Sequence, residues 1–141
     1  MACSTGNGWT VSFSTASFTG RIESVTIDGT ALEMLDDSTL ETTGHMVKCA
    51  ADLTDPGTVS MVIRLDLYAP EELLPTRTQD TITITAPLSG AMASNATLVG
   101  TGYITSGGGV DSIANNELTS RTVVWTWDGT TGPTWTAASD T

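Results

Sequence analysis

From Thr58 to Leu67 the chain reads TVSMVIRLDL. Val59, Met61, Ile63, Leu65 and Leu67 fall on one side, and Ser60, Arg64 and Asp66 on the other. A period of two is the signature of a pleated strand with one buried face, and a helix of 3.6 residues per turn cannot produce it. Asp80 to Ala86 (DTITITA) repeats the pattern, with Ile82 and Ile84 opposed to Thr81, Thr83 and Thr85. The 141 residues supply 27 Thr and 13 Ser for such faces. Thr is β-branched and stiff at χ1, and it suits a pleated, half-wet surface.

The same reading predicts strands over 9–14, 20–28, 97–105 and 118–127. Asp28-Gly29 and Asp128-Gly129 serve as turn signals, and Gly107-Gly108-Gly109 as a flexible turn. One short helix is expected over 69–75, where Pro70, Glu71 and Glu72 suit a first turn and Pro75 ends it. The expected fold is therefore mainly β: an antiparallel β-sandwich or barrel over residues 1–136, with at most one short helix. Residues 137–141 form a small, polar tail expected to fray. The 22 residues from Asp36 to Gly57 interrupt the rhythm and read as a long inter-strand loop or extended hairpin. A segment of that length without its own element is uncommon in a compact domain and is usually functional.

Charge and side-chain chemistry narrow the function. Sixteen acidic residues against five basic ones give a formal charge of −11. A protein that grips the phosphate backbone needs clustered Lys and Arg, and here one Lys and four Arg are scattered. No apolar run approaches the roughly 20 residues of a membrane-spanning helix. Cys3 and Cys49 are too few for a disulfide framework or a zinc site, and the N-terminus has no signal-peptide pattern, so synthesis in a cytoplasm is expected.

The single histidine, His45, lies in the long segment and reads as a surface or interface residue. Asp36-Asp37 and Glu71-Glu72 are adjacent pairs, which on a strand point to opposite faces and make poor acid–base couples. Neither the Asp128 turn nor Asn115-Asn116-Glu117 has the ligand spacing of a calcium loop. No enzyme activity, metal or cofactor is expected. Trp125 and Trp127 lie two apart on one strand face. They would either pack in the core or, if exposed, stack on sugar rings.

The order of features resembles the major tail protein, or tail tube protein, of long-tailed phages. The resemblance is carried by 17–25 (SFTGRIESV), by 36–44 (DDSTLETTG), and by Asp52 to Gly57 followed by the strand to Asp66. In the second half it is carried by 81–84, 102–106, 115–129 and Pro133-Thr134-Trp135. It covers nearly the whole chain, and it departs at Tyr68 to Thr78, where members often carry a fuller helix. It implies a structural virion protein whose hexameric rings stack into a hollow tube. The implied partners are other copies of itself, a tape-measure protein, and tail terminator and distal tail proteins. DNA would be a passing cargo, with no membrane partner.

On that reading the long segment contacts the next ring through Asp36, Asp37, Thr39, Glu41, Thr42, Gly44, His45, Asp52, Asp55 and Pro56. The polar strand faces, with Ser60, Arg64, Asp66, Thr81, Thr83 and Thr85, line the lumen, and carboxylates such as Asp66 would make it negative. The alternative from a different class is a monomeric carbohydrate-binding or adhesive β-sandwich.

Overall fold

The structure is a computed structural model that describes residues 8–16, 18, 21–68, 70–87 and 94–139. Among them the chain forms nine strands and no helix: β1 Thr10–Phe13, β2 Ile22–Ile27, β3 Ala31–Asp36, β4 Lys48–Asp55, β5 Thr58–Arg64, β6 Asp80–Thr85, β7 Thr97–Ser106, β8 Ser120–Trp127 and β9 Thr134–Thr136. All pairings are antiparallel. One sheet runs β1-β6-β7-β8-β5-β2 with β9 added to β7, and β3 and β4 form a separate two-stranded ribbon. The mainly β, antiparallel expectation holds.

The alternation seen in the sequence becomes the core. Val59, Met61 and Ile63 of β5, Ile82 and Ile84 of β6, Leu98 and Ile104 of β7, and Val123, Trp125 and Trp127 of β8 are all buried in one cluster. Partly buried residues of the outer strands, among them Val11, Phe13, Ile22, Val25 and Ile27, pack against it. Phe13 meets Trp125 with ring centroids 5.7 Å apart, and Trp125 meets Trp127 edge-on at 5.9 Å.

The two indoles fit because β7 carries glycine opposite them. A Cβ on Gly100 would lie 2.7 Å from the Trp127 ring, and one on Gly102 would lie 3.1 Å from the Trp125 ring. Both edges of the sheet, β1 and β2, border one apolar cavity of about 380 Å³ lined by Trp9, Val11, Ile22, Val25, Ile27 and Ile84. The sheet is therefore rolled upon itself, with its seam between β1 and β2.

Strand boundaries are shorter than expected at two places. β5 stops at Arg64; the Leu65 amide still donates to the Thr119 carbonyl at 3.0 Å, and Asp66 and Leu67 lie beyond the strand. The segment 70–73 is a turn rather than a helix. Arg121, 3% exposed on the inner face of β8, explains it. Its guanidinium donates to the carbonyls of Pro70 and, at 3.3 Å, of Glu72. Those acceptors are drawn inward, Leu73 turns to φ +57°, and its side chain enters the core. Ala69, Cys3 and Gly20 lie outside the described residues. The C-terminal segment is tied down at Ser139, which exchanges backbone hydrogen bonds with Ser94, and Asp140 and Thr141 lie outside the described residues.

Candidate functional site

β2 and β5 pair as a hairpin whose chain does not turn at its end. It passes through Asp28–Thr30 and Pro56–Gly57 and pairs again as β3 and β4. The result is a ribbon that bends at a hinge and leaves the body as an arm. The hinge is tightly held. The Asp28 amide donates to the Thr58 carbonyl at 2.9 Å, Thr58 Oγ1 donates to Asp28 Oδ2 at 2.9 Å, and the Gly57 amide donates to Asp55 Oδ1 at 2.9 Å. Gly57 has φ +91°, and a Cβ there would lie 2.5 Å from the Asp28 carbonyl oxygen. Only glycine accepts both that dihedral and that approach.

The arm buries almost nothing. Every residue of β3 is exposed, and in β4 only Ala51 is half-buried. Leu32, Met34 and Leu35 of β3 and Leu53 of β4 are all exposed, with Leu53 at 83%. Because Met34 and Leu35 are adjacent, both faces of the ribbon present apolar side chains. A lone two-stranded hairpin is marginal in water, and scattered exposed leucines are ordinary, but a ribbon apolar on both faces marks a contact surface.

The tip loop, 37–47, is ordered by its own polar groups. The Val47 amide donates to Ser38 Oγ at 2.8 Å, the Asp37 amide to the Val47 carbonyl at 2.9 Å, and the Thr39 amide to Thr42 Oγ1 at 2.9 Å. The Asp36 carboxylate accepts from the Ser38 amide at 2.9 Å; that bond, with the Ser38 side chain, lowers its pKa from the ordinary value. Leu40 stands at the turn, fully exposed.

The residues named for inter-ring contact thus fall into two groups. Asp36, Asp37, Thr39, Glu41, Thr42, Gly44 and His45 lie at the tip, while Asp52, Asp55 and Pro56 lie along β4 toward the hinge. Sequence reasoning missed β3 and its apolar residues, which begin five residues before the segment it singled out.

The residues named for the lumen share one face only in part. Ser60 and Arg64 on β5 and Thr81, Thr83 and Thr85 on β6 point away from the core, with β7 and β8 between them. Asp66 lies two residues past the end of β5 and accepts the Tyr68 amide at 2.9 Å. The outward face is continued by Thr97, Val99, Thr101 and Tyr103 of β7 and by Thr122, Val124 and Thr126 of β8. Arg64 is the one charged side chain that β5 to β8 add to it, and it pairs with Glu23 at 3.6 Å. The sheet's polar face is hydroxyl-rich, and two carboxylates sit against it: Asp128 accepts from Thr101 Oγ1 at 2.8 Å and Asp111 from Thr122 Oγ1 at 2.9 Å.

Two further groups lie inward. Asp80, 8% exposed, accepts the amides of Thr15 and Ala16 at 2.9 Å and of Thr81 at 2.8 Å. Burial alone raises its pKa, but the amides of Ala16, Thr81 and Thr15 together outweigh burial and lower it. Asp80 thereby fastens the chain beyond β1 to the start of β6. Trp125 and Trp127, 0% and 3% exposed, are core residues and present no ring surface to a ligand. Among the described residues no three or more His, Cys, Asp or Glu side chains gather as a metal site, and no helix is long and apolar enough to cross a membrane. No family model matches the chain, and no curated protein matches it.

Proposed function

We propose that this chain is a self-assembling structural subunit of a phage tail tube, in which rings of the rolled sheet stack through the arm. The observation that carries the proposal is the β3–β4 arm: a hinged ribbon whose apolar side chains Leu32, Met34, Leu35 and Leu53 are exposed. A rigid hinge and a well-bonded tip set the arm's direction in advance, which lowers the entropy lost on docking. The ordered resemblance across the chain supports the same reading, and it brings the tape-measure, terminator and distal tail proteins as partners. Among the described residues β1 and β2 each pair on one side only, and such edges supply the backbone groups that side-by-side ring closure would use. The hydroxyl-rich face with Ser60, Thr81, Thr83 and Thr85, with Asp128 and Asp111 held against its Thr101 and Thr122, suits a wall past which DNA slides without being held. The carbohydrate-binding alternative loses its main support, because the Trp125–Trp127 pair is buried.

Deletion of Thr39 to Val47 tests the role of the arm. The arm contributes nothing to the core, so the shortened protein should fold with a melting temperature near that of the full chain and should sediment as a monomer at concentrations where the full chain assembles. Assemblies of normal size from the deleted protein would contradict the proposal.

A further inference from the structure

A second surface of the body matches the arm tip in charge, polarity and position. At the start of β2 and the end of β5, Arg21, Ile22, Glu23, Arg64, Leu67 and Leu118 line a groove of about 690 Å³. Leu67 and Leu118 are 81% and 74% exposed, so its apolar wall is uncovered. The chain has five cations. Lys48 belongs to the arm and Arg121 is buried on backbone carbonyls, which leaves Arg21, Arg64 and Arg77 on the surface of the body. Two of these three are in the groove. Arg64 is shared with Glu23 at 3.6 Å, whereas Arg21 makes no ion pair with another described residue. The tip loop carries the opposite set: Asp37, Glu41, a fully exposed Leu40 and no Lys or Arg.

The geometry is also directional. The arm leaves the β2–β5 pair at the Ile27/Val59 end, and the groove lies at the Ile22/Ile63 end of the same pair. At about 3.3 Å per residue, those ends are separated by the full length of the strands. A contact between different surfaces at opposite ends of one subunit is heterologous, and where its rotation does not close into a ring it repeats as an open stack.

We propose that the groove receives the arm tip of the next copy, with Leu40 between Leu67 and Leu118 and with Asp37 and Glu41 meeting Arg21 and Arg64. This rests on the tube-subunit reading and names the docking partner of its arm. For a chain of charge −11, copies repel in general. Complementary charge at this one contact selects a single register and steers the approach.

The test is charge reversal, read by sedimentation velocity of the full-length protein over a concentration series. R21E should raise the concentration at which half of the protein assembles by about tenfold or more. Adding D37R and E41R to the same chain should restore most of the loss. If R21E lowers the melting temperature, R21Q takes its place and should show a smaller effect of the same sign. Unchanged assembly of R21E and R21Q, alongside a Thr39–Val47 deletion that fails to assemble, would overturn the groove and leave the arm standing. A full-length chain that stays monomeric throughout would overturn both.

Discussion

Three backbone amides converge on the carboxylate of Asp80, at the inner edge of the core where β6 begins. Replacing Asp80 with Ala leaves those donors without an acceptor, and each buried orphan costs about 1–3 kcal/mol where water cannot replace the bond. The pH dependence follows from the direction of the shift. The folded pKa lies below the ordinary 3.8, so ionised Asp80 favours the folded state above that value, and the contribution is lost as the pH falls through the lowered folded pKa. The melting-temperature gap between the natural protein and D80A should therefore be widest near neutral pH and narrow in acid below pH 3.8. A gap that widens in acid would show that the carboxylate is not held ionised by these amides.

Strands were legible wherever one face is buried, because burial is what writes a period of two into the side chains. Val59-Ser60-Met61 and Ile82-Thr83-Ile84 turn that pattern directly into inner and outer faces. β3 was illegible for the same reason: ALEMLD has no buried face, so nothing in it alternates. The short helix expected over 69–75 rested on local propensity. It gave way to a long-range bond from Arg121, which no local rule anticipates. Asp66 was assigned to the wall by extending the alternation past Arg64, where β5 ends. The arm's detachment from the core makes a clean prediction. L53D alters a side chain that is 83% exposed, so the stability read from thermal unfolding should change by no more than about 0.5 kcal/mol. On the proposed reading, assembly should be lost nonetheless. A substantial loss of stability in L53D would mean that the arm packs on its own body.

At the scale of the molecule, the parts match the work that the proposed tube subunit would need. The rolled sheet supplies a rigid body with its core of Trp125, Trp127 and the branched residues around them. Among the described residues β1 and β2 each pair on one side only, and beyond Gly57 the arm's strands β3 and β4 pair only with each other. Acidic side chains are concentrated on the arm, where Glu33, Asp36, Asp37, Glu41, Asp52 and Asp55 accompany a single Lys48. On the face built by β5 to β8, Arg64 is paired with Glu23, and Asp128 and Asp111 accept from Thr101 and Thr122. A conduit lined by hydroxyls would hold DNA weakly because it offers few cations to displace the counterions of the duplex. Electron microscopy of the purified protein at rising concentration tests the central claim most directly. The account predicts hollow tubes of stacked rings, with the arm of each subunit lying against the neighbouring ring. A uniform population of monomers at every concentration, or compact closed oligomers with the arms free in solvent, would contradict it.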